Sequence, residues 1–275
     1  MIFLNTNIAL DADLQGYLEE AQNKVNSVNS LDFKIKLAKE LFKIKNTNRN
    51  SKFLRIRNIL NKMCTGNQWC PYCEDSAAVQ IDHLKPKTIF PEYAFVWNNY
   101  IPSCGECNML KGDSYAVVVD EQAQVITSRE QLDLLSNQNP TPMFLNLREE
   151  DPMMYSVIDI GCTYRYVITS QPGTEEFLKI DYTLATLKLN HQDSERLNVS
   201  RKIAFTNFYY RIRFLSQELD NLSPGQKANC AEQLKQEPHQ SVWQEIKRMY
   251  RVGKLTQIQP GFSEFIDTVP EVLNW

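Results

Sequence analysis

Three stretches decide how this chain is read: Cys70-Pro-Tyr-Cys73, Val79-Gln80-Ile81-Asp82-His83-Leu84-Lys85-Pro86-Lys87, and Cys104-Gly105-Glu106-Cys107-Asn108-Met109-Leu110-Lys111-Gly112. Zinc prefers tetrahedral thiolate ligands, and a C-x-x-C turn sets two sulfurs on one side of the ion, so two such turns close the shell. Thirty residues separate Cys73 from Cys104. That is more than a zinc ribbon needs, so the intervening segment is expected to be a folded insertion with a task of its own. A thioredoxin-like redox pair is the rival reading of Cys70 and Cys73. It requires the strand and helix of a larger parallel sheet, which the flanking residues do not supply, and it leaves the second pair unexplained. Unliganded core cysteines are the remaining alternative. Four thiolates leave no open position for water, which speaks against a hydrolase working through this ion.

The insertion carries the chemistry. Val79-Gln80-Ile81 predicts a short strand, and Pro86 predicts its end. Neighbouring strand residues point to opposite faces, so Asp82 and His83 share a site only where the strand ends or twists. The second cysteine pair predicts a helix start. One helical step turns about 100°, so Cys107 can face the zinc while Asn108 faces an adjacent cleft. The free N–H groups of such a start suit thiolates or a phosphate. A neutral imidazole at cellular pH fits His83 as a general base. Asp82 and Asn108 offer hard oxygen donors to Mg²⁺ or Mn²⁺, and Asn99 is expected to accept a hydrogen bond from the second imidazole nitrogen. Asn98 competes for that role, and spacing alone favours Asn99. Lys85, Lys87 and Lys111 are candidate phosphate contacts, against the plainer reading of exposed lysines. A surface salt-bridged Asp-His dipeptide is the alternative to the catalytic reading. His191 and His239 lack any cysteine frame and are expected to pack or to sit on the surface.

Taken together, D-H-x-x-P, an asparagine nine residues before the last one, and C-x-x-C-N-x-x-K-G resemble the HNH, or ββα-metal, endonucleases. That resemblance implies His83 as the water-activating base, Asp82 and Asn108 as ligands of one divalent metal, and Asn99 as the residue that orients the base. The chain has Asn where the family name has its last His. A narrower likeness covers about residues 68 to 215. Its strings include Cys70-Pro-Tyr-Cys73-Glu74, Phe90-Pro91-Glu92-Tyr93, Trp97-Asn98-Asn99-Tyr100 and Leu145-Asn146-Leu147-Arg148. These are similar to the PtuB nuclease subunits of bacterial Septu anti-phage systems, including retron-associated ones. The likeness implies a nucleic-acid substrate, DNA before RNA, and an ABC/SMC-type ATPase partner like PtuA. A zinc-finger module that binds nucleic acid or protein without catalysis is the alternative.

Composition sets the bounds. A chain of 275 residues can bury a substantial core without disulfides. Its seven cysteines are odd in number, which fits metal-bound thiolates in a reducing cytoplasm better than bridges. Cys64, Cys162 and Cys230 are expected to pack as small apolar residues. No run of about eighteen apolar residues predicts a membrane span, and the first ten residues lack the basic start of a secretory signal. A net charge of -3 argues against a general polyanion binder. Between Asp32 and Lys62, however, ten basic residues face two acidic ones. That stretch reads either as a solvated helix face or as a phosphate-contacting stripe, and its helices are the expected partner-docking surface.

The expected fold is α+β, a mainly helical chain around a small zinc-braced ββα module. Residues 1–66 are read as a basic helical region, 67–114 as the nuclease module, and 115–275 as hairpins followed by helices. Hydrophobic spacing predicts helices through residues 11–62, using Phe33, Ile35, Leu37 and Leu41 and then Phe53, Ile56 and Leu60, with a polar break at Asn46–Ser51. Hairpins are predicted around Asp120-Glu121 and near Gly161, a loop over Asn137–Pro142, and a long helix from about Asp193 to Leu222.

Overall fold

The computed structural model describes residues 1–191, 195–218 and 221–274. Three helices open the chain, α1 (Ala12–Asn26), α2 (Leu31–Lys45) and α3 (Ser51–Asn61). Side-chain caps start two of them: Asp11 accepts from the Leu14 N–H at 2.9 Å and Asn50 from the Phe53 N–H at 3.2 Å, satisfying donors that have no intrahelical partner. Leu14, Leu18, Ala21 and Val25 line the buried stripe of α1, and Phe53, Ile56 and Leu60 that of α3. In α2 the buried residues are Ala38 and Phe42, whereas Phe33 is 65% exposed. The helix is where the spacing predicts it and Leu37 and Leu41 pack at the edge of the core, but Phe33 turns outward and Ala38 and Phe42 are the buried positions.

Next come β1 (Gln80–His83), β2 (Tyr100–Ser103) and α4 (Gly105–Lys111). β1 and β2 form an antiparallel pair with Asp82 opposite Ile101 and His83 opposite Tyr100. A three-stranded sheet follows, in the order β4 (Gln122–Val125), β3 (Ala116–Val119), β5 (Thr141–Pro142), with α5 (Arg129–Leu134) between β4 and β5. The β3–β4 turn has two residues, Asp120 and Glu121, both at positive φ (48° and 61°), the backbone of a tight mirror-image turn that matches strand twist. The expected loop at Asn137–Pro142 ends in β5, a short edge strand that tolerates Pro142 because its partner lies on one side only.

β6 (Ser156–Ile158) and β7 (Tyr166–Ile168) make the second expected hairpin. Its loop is organised by Asp159, which accepts from the Thr163 N–H and hydroxyl, and the left-handed residue is Tyr164 rather than Gly161. The remainder is helical: α6 (Glu175–Thr186), α7 (Glu195–Glu218), α8 (Pro224–Gln236), α9 (Gln240–Arg251), α10 (Leu255–Ile258) and α11 (Phe262–Thr268). The expected start of the long helix, Asp193, lies outside the described residues. Among the described residues no helix is long and apolar enough to cross a membrane.

One continuous apolar cluster runs from Met1 to Val272 and takes in the four cysteines, Tyr72, Phe95 and Tyr100. A smaller cluster of Ile89, Phe90, Tyr115, Val117, Val119 and Ile126 fills the space beneath the three-stranded sheet. Segments far apart in sequence therefore share one interior, and the β1–β2–α4 unit sits at its edge with α2 and α3 packed beside it.

Candidate functional site

The four paired cysteines are buried and their sulfurs all lie within 4.8 Å of one another. Cys73 Sγ and Cys104 Sγ are 3.8 Å apart, the separation that tetrahedral bonds of about 2.3 Å impose on two sulfurs. Cys104 caps α4, its sulfur accepting from the Cys107 N–H at 3.4 Å. Hydrogen bonding from Cys107, Cys70 and Cys73 drives the Cys104 thiol toward thiolate against the opposing effect of burial. The group could hold a zinc ion. The other cysteines are scattered: Cys64 and Cys230 are half-buried, while Cys162 is exposed, contrary to the packing role expected of it.

A cavity of about 520 Å³ opens beside this cluster, bordered by Gln80, Asp82 and His83 of β1, by Asn108 of α4, by Lys87, and by Phe42, Asn46, Asn48 and Arg57 across from them. His83 and Asp82 reach the same cavity because β1 ends at His83. The imidazole is wedged against Phe42 and Tyr100, with ring centroids at 4.5 and 5.1 Å. Its Nε2 lies 3.0 Å from the Ala94 carbonyl. A carbonyl only accepts, so that nitrogen carries the proton, and Nδ1 is left as an acceptor for the Lys87 ammonium at 2.9 Å. Burial holds the His83 pKa well below its ordinary value. The Lys87 and Lys111 charges push the same way, and the Ala94 carbonyl opposes them. Lys87 is pushed down to about 8, by burial first, with Asp82 and Asp113 opposing and Lys111 and Lys39 adding to the fall.

Asp82 is 2% exposed and doubly engaged. Tyr72 donates its hydroxyl to Oδ2 at 2.8 Å, and Lys111 pairs with Oδ1 at 3.1 Å. Lys111 also donates to the His83 carbonyl at 2.6 Å and is completely buried. It cannot meet nucleic acid, and the expectation of a phosphate contact there is corrected: its charge holds the end of β1 against α4. Asn108 donates to Gln80 Oε1 at 2.6 Å, which turns its own carbonyl oxygen free of that contact.

Asn99 does not touch the imidazole. Its amide oxygen accepts from the Lys85 N–H at 2.7 Å, and its nitrogen donates to the Lys85 and Tyr93 carbonyls at 3.0 and 2.9 Å. It ties the loop after β1 to the turn before β2, while the Ala94 carbonyl holds the imidazole in its stead. Asn98 is exposed beside it. Lys85 faces a separate cavity, its ammonium 4.0 Å from the centre of the Tyr93 ring. His239 is buried at the start of α9, 3.4 Å from Asp75, and takes no part in the cleft. The residues that sequence reading passed over are Tyr72, Gln80, Ala94, Asn46, Asn48 and Asp113, while Arg57 entered it only as one cation of the Asp32–Lys62 stretch. Tyr72 lies inside the first cysteine turn, and Gln80, two residues before Asp82 on β1, was within reach of strand alternation. The others come from segments whose approach only tertiary packing decides.

Behind the cysteines, Glu74 is fully buried and accepts from the Ser241 N–H at 3.0 Å, the Ser241 hydroxyl, and Tyr166 at 3.3 Å. Trp69 donates its indole N–H to the Gln236 carbonyl at 2.9 Å. The first cysteine turn is thus anchored to α8 and α9.

No protein-family profile matches this chain, and no solved structure does. Two curated proteins are similar to parts of it. Septu protein PtuB of Bacillus thuringiensis is 37% identical over 51 residues, 17% of this chain and 20% of that protein. Protein ea31 of Escherichia phage lambda is 38% identical over 66 residues, 23% of this chain and 22% of that protein. The chain therefore matches about a fifth of the length of each, and what it shares with them is a short segment of partial homology.

Proposed function

We propose that this chain is a metal-dependent endonuclease of the HNH type, acting on nucleic acid, DNA before RNA, as the effector of a bacterial anti-phage defence system under an ATPase partner. The observation that carries the reading is the cleft in which His83, Asp82 and Asn108 meet beside a four-cysteine cluster. The short similarity to a Septu PtuB supports the defence role, and a PtuA-like ATPase is the partner that role calls for.

His83 suits a base: its proton is fixed on Nε2 by Ala94, its Nδ1 lone pair is left to accept and is met by the Lys87 ammonium of the cleft wall, and burial favours the neutral ring. Water bound in the cleft would give its proton to Nδ1 as it attacks phosphorus. A hard divalent cation fits the donors present. The Asp82 carboxylate has lone pairs beyond the two engaged by Tyr72 and Lys111, and the Asn108 carbonyl oxygen is not used by its bond to Gln80. Such a cation supplies charge stabilisation to the phosphate and leaving oxygen. Lys87, displaced from Nδ1, would pair with a phosphate oxygen. Asn99 would act indirectly, by fixing the loop that carries Lys85.

The test is cleavage of labelled DNA and RNA with Mg²⁺, with and without a PtuA-like ATPase, by the wild-type chain and His83→Ala. A nuclease loses cleavage in the variant while zinc content and folding persist. The Asp82–Lys111 pair favours one alternative, a zinc-organised binding module in which Asp82 is structural. In that case His83→Ala would keep both nucleic-acid affinity and biological effect.

A further inference from the structure

The wall of the cleft opposite His83 belongs to the turn between α2 and α3 and to one arginine of α3. Arg57 lines the cavity together with Asn46 and Asn48. Its guanidinium is gripped by neutral acceptors: Asn46 Oδ1 at 2.6 Å, Asn48 Oδ1 at 2.8 Å and the Thr47 carbonyl at 3.3 Å. None of these carries charge, and no carboxylate pairs with Arg57 among the described residues. Two residues earlier the opposite holds. Arg55 bridges Asp11 at 2.5 Å and Asp13 at 3.2 Å, and Lys52 reaches Asp13 at 2.7 Å, so the outward cations of α3 are neutralised by α1.

A half-buried guanidinium held at a fixed angle, with no counter-ion, in the wall of a cavity that also holds Lys87, is a site awaiting an anion. Asp113 is the remaining acid on the rim, and Asp82 is already paired with Lys111. Three of its five N–H groups serve these acceptors, which leaves Nε–H, one Nη1–H and an uncompensated positive charge to meet a phosphate oxygen. We propose that Arg57 anchors a backbone phosphate of the nucleic-acid substrate across the cleft from His83, so that the basic N-terminal helices form half of the binding site. The proposal rests on the nuclease reading for the identity of the anion, and the α2–α3 turn is the device that holds the guanidinium at the cavity wall.

The experiment measures binding rather than cleavage, so that the two readings fail separately. A fluorescent 20-base-pair duplex is titrated against the His83→Ala chain, with and without Arg57→Gln, in Ca²⁺ across a salt series, and melting temperature and zinc content are followed in parallel. With the fold intact, Arg57→Gln is expected to weaken binding about tenfold at low salt and to lower the slope of log affinity against log salt by about 0.9, one released counter-ion. An unchanged slope and affinity, or no binding of the duplex at all, overturns the proposal. Wild-type cleavage is scored independently. Should Arg57→Gln fail to fold, phenylglyoxal modification of the His83→Ala chain decides: saturating duplex is expected to shield Arg57 at least severalfold, and equal modification with and without duplex overturns the proposal.

Discussion

At the scale of single residues the site is governed by who occupies whose lone pairs. The buried Asp82–Lys111 pair is the clearest case. Removing one partner leaves the other charged and buried, so Lys111→Met is expected to destabilise the chain by about 3–5 kcal/mol. The double variant Asp82→Asn with Lys111→Met should recover a large part of that loss, and thermal or urea unfolding of the four proteins in the cycle measures it. His83 gives a pH prediction. Its folded pKa is depressed, chiefly by burial and then by Lys87. Below about pH 6.5 the unfolded chain takes a proton that the folded chain refuses. Stability should therefore fall as pH drops through that range, while the acid limb of kcat/KM should lie below it. Lys87→Met should shift that limb upward, because protonation no longer meets a neighbouring ammonium; an unmoved or lower limb would reject the contact. Residue types and spacing pointed to the one cavity that His83, Asp82 and Asn108 line and to the grouping of the four cysteines. The partners of Asn99 and Lys111 were not readable in advance, because a side chain's neighbours depend on how loops and helices close around it.

At the scale of elements, short-range chemistry was the more legible. The hairpin at Asp120-Glu121 and the helix opened by Cys104 follow from local residue preferences. The inward face of α2 did not, since Phe33 and Phe42 are equally apolar and only the approach of distant rings, His83 at 4.5 Å and Phe53 at 5.6 Å from Phe42, selects one. The β3–β4 turn holds an aspartate and a glutamate in a left-handed conformation that costs about 1 kcal/mol or more each. Asp120→Asn with Glu121→Gly should relieve it, raising Tm by about 2–4 °C per kcal/mol recovered. Cleavage and zinc content should stay unchanged, since the turn lies outside the cleft. Calorimetry of the variant checks this, and a lowered Tm would mean that the exposed carboxylates hold contacts of their own.

At the scale of the whole molecule the three segments delimited from sequence share one interior, and the link between the first cysteine turn and the last helices is polar as well as apolar. Ser241 donates to Glu74 through its backbone N–H and its hydroxyl, and Ser241→Ala removes only the second, leaving the buried carboxylate one donor short at an expected cost of about 1–3 kcal/mol. A chain ending after residue 222 should lose Trp69's acceptor on α8 and the cover over Glu74, and is expected to be unable to retain zinc. Stable, zinc-loaded protein from that truncation would overturn the coupling. Distant pairing of this kind carries no mark in sequence, because Glu74 and Ser241 are ordinary polar residues until 167 positions of chain bring them together.

The sulfur cluster lies within the common interior rather than on an appendage. If the cluster holds zinc, a cell starved of that metal would then forfeit the polypeptide itself, since a chain lacking the ion would populate open forms that cellular proteases clear. Metal supply would govern how much of it accumulates, and an immunoblot of cultures grown in zinc-limited and replete medium reads that directly.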